Sequence, residues 1–238
     1  MTEHVTPPDD ALDSLGRKNT KFSTDILKLA SGTAIVQGLS TLISPFIARL
    51  FPPEAFGIFA LFSSIVGVIV VISTLRYDIG VMLPEQDSDA ANLAAGALLS
   101  TISFSLLMGM IIWLGGPAIA DLLNAPELAP YLWFAPILVF FGGIGAGHPV
   151  LVAWASRSRK FSEISKTNVI GSTISMAMKI TLGFLGFNTG SGLIVSSLVG
   201  STISPALLGW HTWKQNSRLF LDSVRLPLIW QNMKLKNI

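Results

Sequence analysis

The sequence predicts an all-α integral membrane protein with six transmembrane helices and both termini in the cytoplasm. Three observations predict it. Half of the 238 residues are apolar and only 13% are charged, where a soluble domain carries about a quarter charged residues. Mean hydropathy is +0.60, which leaves too little polar surface to wrap a globule in water and excludes disorder. The apolar residues gather in six stretches, 29–48, 58–75, 92–114, 132–153, 167–187 and 192–210. Each is near the roughly 20 residues a helix needs to cross a hydrocarbon core of about 30 Å.

The first stretch is too long for a cleavable signal and has no small-residue cleavage site, so it reads as a signal anchor. Alternating the spans places the N-terminal tail (Arg17, Lys18, Lys21, Lys28), the loop with Arg76, the loop with Arg157, Arg159, Lys160 and Lys166, and the C-terminal tail (Lys214, Arg218, Arg225, Lys234, Lys236) on one side. That side holds 14 of the 16 basic residues; Arg49 is opposite and Lys179 lies within the fifth span. The excess marks the cytoplasmic face. Three regions follow: a polar tail at 1–24, whose Pro/Asp-rich 1–16 is expected to be disordered, a membrane lobe at 25–210, and a basic tail at 211–238. In that last tail Phe220, Val224, Leu226, Leu228 and Trp230 suit the inner leaflet.

Composition also narrows the chemistry. A net charge of +2 makes no case for nucleic acid. The absence of Cys removes disulfides, thiolate metal sites and Cys nucleophiles. His4, His148 and His211 are far apart in sequence and form no ligand spacing, so neither metal nor cofactor is expected. An intramembrane serine protease would need a GxSG, but 189–192 reads Thr-Gly-Ser-Gly, and Ser191 falls in the outer loop between the fifth and sixth spans while His148 lies toward the cytoplasmic end of the fourth. No phosphate-binding Walker loop occurs. An enzyme is not expected.

Within the spans the polar residues keep helical spacing. Asn168, Ser172, Ser175, Lys179, Gly183 and Gly186 form one stripe on the fifth, and Thr33, Gln37, Ser40, Thr41 and Ser44 another on the first. Helix interfaces and wet cavities need such stripes; lipid does not. Lys179 sharpens the point. It lies roughly 18 Å from the cytoplasmic end of its span, and a lysine at mid-membrane costs about 2.5–3.5 kcal/mol on insertion. Each of the eight Leu, Ile, Phe and Val residues there returns about 0.3–0.6 kcal/mol, so one lysine cancels most of their gain. No acid sits at its depth in the spans, which leaves an anionic ligand or a hydrated cavity as its partner. Lys179, Ser175, Ser172 and Gln37 are the candidate substrate-binding residues. Arg76 and Asp78, closing the second span, are the candidate gate. Pro45, Pro136, Pro149 and Pro205 are expected to bend spans, and Gly143 with Gly147 forms a GxxxG helix contact on the fourth.

Several strings follow one another along the chain: Ala-Arg-Leu-Phe-Pro-Pro-Glu-Ala-Phe-Gly (48–57), Leu-Arg-Tyr-Asp (75–78), Val-Met-Leu-Pro-Glu (81–85), Ala-Ala-Asn (90–92), Trp-Ala-Ser-Arg-Ser-Arg-Lys-Phe (154–161) and Gly-Leu-Ile (192–194). From about residue 25 to 210 the chain resembles the polysaccharide biosynthesis and O-antigen flippase family of the multidrug/oligosaccharidyl-lipid/polysaccharide exporter superfamily. That resemblance implies a two-lobed exporter in the bacterial cytoplasmic (inner) membrane that flips a polyprenyl-diphosphate-linked oligosaccharide. This chain would supply one lobe, as a truncated half that pairs with a second lobe or a homodimer mate. The implied partners are the lipid-linked oligosaccharide and membrane lipids. Lys179 enters as a cleft candidate from its depth, not from a family motif; Arg76 and Asp78 match the family strings. The alternatives are a multidrug or cation extruder of the same superfamily, which would want a buried carboxylate, and a non-transporting membrane subunit.

Overall fold

A computed structural model describes residues 9–144 and 148–223. Among them the regular structure is helical: α1 (Asp9–Leu50), α2 (Pro53–Ser73), α3 (Tyr77–Gly80), α4 (Asp87–Leu122), a 3-10 turn (Pro126–Leu128), α5 (Phe134–Phe140), α6 (Pro149–Arg157), α7 (Phe161–Phe184) and α8 (Gly190–Ser223). Four segments are long and apolar enough to cross a bilayer: Ala30–Leu50, Pro53–Ser73, Asp87–Leu122 and Gly190–Gln215. They match the first, second, third and sixth expected spans.

The fourth expected span is not one helix. α5 stops at Phe140, Gly142 and Gly143 follow at φ +91° and +87°, and α6 restarts at Pro149. A positive φ favours glycine, which has no Cβ to collide. A Cβ on Gly142 would lie 2.5 Å from the Cα of His148, so the backbone there folds back on the start of α6. Pro149 takes the first position of the new helix, where its missing N–H costs nothing. The expected GxxxG contact is therefore corrected: Gly143 lies in this break, packed toward Val70, and Gly147 is outside the described residues. The fifth expected span is a 24-residue helix, α7, long enough to cross but carrying the polar stripe that lowers its apolarity.

Other boundaries move for local reasons. The disorder expected at 1–16 gives way to helix from Asp9 onward among the described residues. α4 outruns its span, kinking at Gly115 (φ −145°, ψ 21°) two residues before Pro117; a proline cannot take an i−4 hydrogen bond and crowds the preceding turn. α8 continues as helix to Ser223, through the first half of the expected basic tail. Val224, Leu226, Leu228 and Trp230 are outside the described residues, and the leaflet expectation for them lies there too.

The main core joins α2, α4, α5 and α8. Phe62, Val66 and Val70 of α2 recur every four residues, one helical stripe, and meet Met108, Ile112, Leu132, Leu138 and Ile194. A second cluster uses small residues: Ala90, Ala94 and Ala97 let α4 approach Val150 and Trp154 of α6. α7 crosses α8 at Gly171 and Gly200, where a Cβ on Gly200 would lie 2.6 Å from the Gly171 carbonyl oxygen. Small residues permit such close backbone approach, the usual device of membrane helix pairs. α1 lies along α7, with Gly32 against Ser165 and Leu50 against Gly183.

These contacts sort the connections into two ends. At one, Arg157 binds the 81–87 segment and Lys160 hydrogen-bonds to Gln215. At the other, Leu50 and Phe51 of the α1–α2 turn meet Gly183 and Gly192, which flank the α7–α8 turn.

Candidate functional site

The crossing of α7 and α8 leaves a polar cavity beside it. Its volume is about 150 Å³, and Ser172, Ser175 and Lys179 of α7 line it together with Ser197 and Ser201 of α8. Helical spacing explains the α7 contribution: 172, 175 and 179 fall on one face. Gly171 and Gly200 hold the two backbones close, and the serines keep the adjoining wall small enough to stay open. The Lys179 Nζ stands 5.3 Å from the centroid of the Phe59 ring of α2, within cation–π range. Ser197 is 2% exposed, and its hydroxyl has no hydrogen-bond partner among the described residues. Such a group carries a desolvation cost of about 1–3 kcal/mol until something meets it.

Three of the four candidate substrate-binding residues are thus brought together, and α8 adds two that were not foreseen. The rest of the α7 stripe does other work. Asn168 accepts a hydrogen bond from Ser204 at 3.2 Å, Gly183 abuts Leu50, and Gly186 takes φ +86° just past the helix end. The fourth candidate, Gln37, is elsewhere. It is exposed on α1, does not line the cavity, and its carbonyl accepts from Thr41.

Lys179 also sits at a different level from that expected. α7 begins six residues before the expected span and ends at Phe184. The lysine is about 27 Å from the first residue of α7 and about 8 Å from its last. It therefore lies toward the end that carries the α7–α8 turn rather than at mid-helix.

Comparison with known families gives a match to the model described as polysaccharide biosynthesis protein, over residues 46–227. The chain belongs to this polysaccharide biosynthesis protein family. With its apolar helices, membership makes it a multi-pass membrane protein with a role in polysaccharide synthesis or export. No curated protein and no solved structure matches it.

The family match covers the whole cavity and leaves Gln37 outside. It also covers Arg76 and Asp78. α2 ends at Ser73, and Leu75 and Arg76 then take left-handed conformations, φ 48° and 59°. Two successive non-glycine residues in that region store backbone strain. The strain turns the chain sharply into α3, where the Asp78 carboxylate accepts from the Thr74 hydroxyl at 3.0 Å. Arg76 is exposed.

One basic residue of this polysaccharide biosynthesis chain does more than mark a side of the membrane. Arg157, at the end of α6, donates to the carbonyls of Pro84 at 2.6 Å and Glu85 at 3.2 Å. It also donates to the Asp87 carboxylate at 2.9 and 3.1 Å. Its guanidinium fork suits several acceptors fixed in one loop. The signal was present in sequence, since 81–85 and 154–161 belong to one ordered set of strings, but nothing local to either says that they touch.

Proposed function

We propose that this chain is one lobe of an exporter that flips a polyprenyl-diphosphate-linked oligosaccharide across the bacterial cytoplasmic membrane, with the α7–α8 cavity receiving a phosphate of the carrier. The observation that carries the reading is that Lys179 and four serines line one cavity beside a helix crossing, the Ser197 hydroxyl being buried and without a partner among the described residues. An ammonium and hydroxyl donors are the groups that recognise phosphate oxygens. At about 150 Å³, near the size of a cavity that holds benzene, the space suits a phosphate-sized group rather than a glycan. The lipid tail would remain in the bilayer and the sugar in the cleft between lobes.

In this reading the chain makes six crossings, with α5 and α6 sharing the fourth and both termini in the cytoplasm. The two ends separated by the contacts of Arg157 and of Phe51 support that alternation, and the basic residues at the Arg157 end support its orientation. Arg76 and Asp78 belong to the cytoplasmic gate. A second lobe or a second copy completes the path, and the protein works as a transporter rather than an enzyme. A cation extruder is less well served, because this cavity presents an ammonium where that chemistry wants a carboxylate.

Binding tests this directly. The chain in nanodiscs is titrated with a polyprenyl diphosphate, beside Lys179→Ala and Lys179→Arg. Loss of one charge-assisted contact weakens binding at least about tenfold in the alanine variant, and arginine restores part of it. Equal affinities for the native and alanine chains would overturn the reading.

A further inference from the structure

A second cavity, of about 230 Å³, opens where α5 breaks into α6. Leu98 and Ile102 of α4, Phe140 at the end of α5 and Leu151 of α6 give it apolar walls, and its polar side chains are Thr101 and His148. It shares no lining residue with the Lys179 cavity.

His148 is 3% exposed and caps α6: its Nδ1 accepts the backbone N–H of Val150 at 3.2 Å. A neutral imidazole whose Nδ1 accepts must carry its proton on Nε2. That Nε2 is buried and has no hydrogen-bond partner among the described residues. The Thr101 hydroxyl already donates to the Ala97 carbonyl. The cavity therefore offers one unmet N–H donor at the head of an apolar chamber.

Its mouth is open and apolar. Ile102 and Phe140 are 39% and 43% exposed. Ile102 also belongs to an exposed apolar stripe on α4 with Leu99, Leu106, Met110 and Trp113, at the spacing of one helix face. An occupant arriving from that side must be hydrocarbon with one strong acceptor. A water in the chamber would find fewer partners than the usual three or so. A polyprenyl chain supplies no acceptor.

We propose that this cavity holds an ester-linked acyl chain of a membrane glycerolipid, whose ester carbonyl accepts from His148 Nε2. The chain fills the apolar chamber and leaves by the Ile102–Phe140 mouth, so the lipid plugs the break between α5 and α6. The inference needs the chain to lie in a bilayer but does not depend on what it transports.

The test is native mass spectrometry of the delipidated full chain titrated with a diester phosphatidylglycerol and with its diether analogue, a far weaker acceptor. The native protein is expected to hold one diester lipid about five- to tenfold more tightly than the diether. His148→Asn keeps a capping oxygen for Val150 but withdraws the donor, and it should lose that preference. Ile102→Trp closes the mouth and should lose the lipid. Equal retention of the two lipids by the native chain, which needs no variant to fold, overturns the proposal and leaves a water at Nε2. So does undiminished binding in Ile102→Trp, and so does displacement of the glycerolipid by a polyprenyl phosphate, which would give the chamber to a hydrocarbon without an ester.

Discussion

If the chain is one lobe of an exporter as proposed, replacing Lys179 with alanine in the two-lobed transporter is expected to abolish glycan export while leaving membrane insertion intact or improved. Two opposed effects produce the result. The ammonium is the cationic group lining the serine cavity, and losing a charge-assisted contact to phosphate costs about 1.5–3 kcal/mol, or roughly a tenfold to hundredfold loss in affinity. Insertion moves the other way, because a lysine within a span opposes it by up to about 2.5–3.5 kcal/mol at the bilayer centre. The gain falls below that range, since Lys179 lies only about 8 Å from the end of α7. Surface-exposed protein by protease protection, set beside glycan export in the same cells, separates the two effects. Unchanged export removes Lys179 from the site.

The second large effect is structural. Arg157→Ala is expected to destabilise the chain by about 3 kcal/mol, because hydrogen bonds from a charged donor are each worth about 1.5–3 kcal/mol and are not additive. The guanidinium side chain is 15% exposed and ties α6 to two carbonyls in the connection from α3 to α4 and to the carboxylate that opens α4. Asp87, by contrast, is 66% exposed, so Asp87→Asn costs about 0–1 kcal/mol, as exposed ion pairs do. Arg157→Lys recovers only part, since an ammonium cannot reproduce the fork. Unfolding of the three variants in a mild detergent gives the order. Stability within about 0.5 kcal/mol of native for Arg157→Ala would show that the loop holds without the clamp.

Periodicity carried the parts of this protein that depend on one helix at a time. The apolar stretches of α1, α2, α4 and α8 are bounded by composition, and the α7 stripe put Ser172, Ser175 and Lys179 on one face because 3.6 residues make a turn. What escaped depends on backbone torsion or on distant contact. The run from Leu132 to Ala153 reads as one apolar span, yet Gly142 and Gly143 at positive φ, with Pro149 waiting to start a helix, divide it. Hydropathy does not record φ. The extension of α7 to Phe161 changed the level of Lys179 without changing its face. Ser197 and Ser201 joined the cavity only because α8 crosses α7 at Gly200, and Arg157 became a clamp only because α6 ends beside residues seventy or more positions earlier. Gln37 shows the converse, a residue on a regular polar stripe whose helix faces it away from the cavity.

Flipping of a fluorescent polyprenyl-diphosphate sugar in proteoliposomes tests the central claim most directly, with the chain reconstituted once as a demonstrated monomer and once as a cross-linked dimer or beside a second lobe. One lobe provides one wall of the path, so the account predicts no flipping by the monomer and flipping by the paired form that is lost with Lys179→Ala. Robust flipping by the monomer would contradict it.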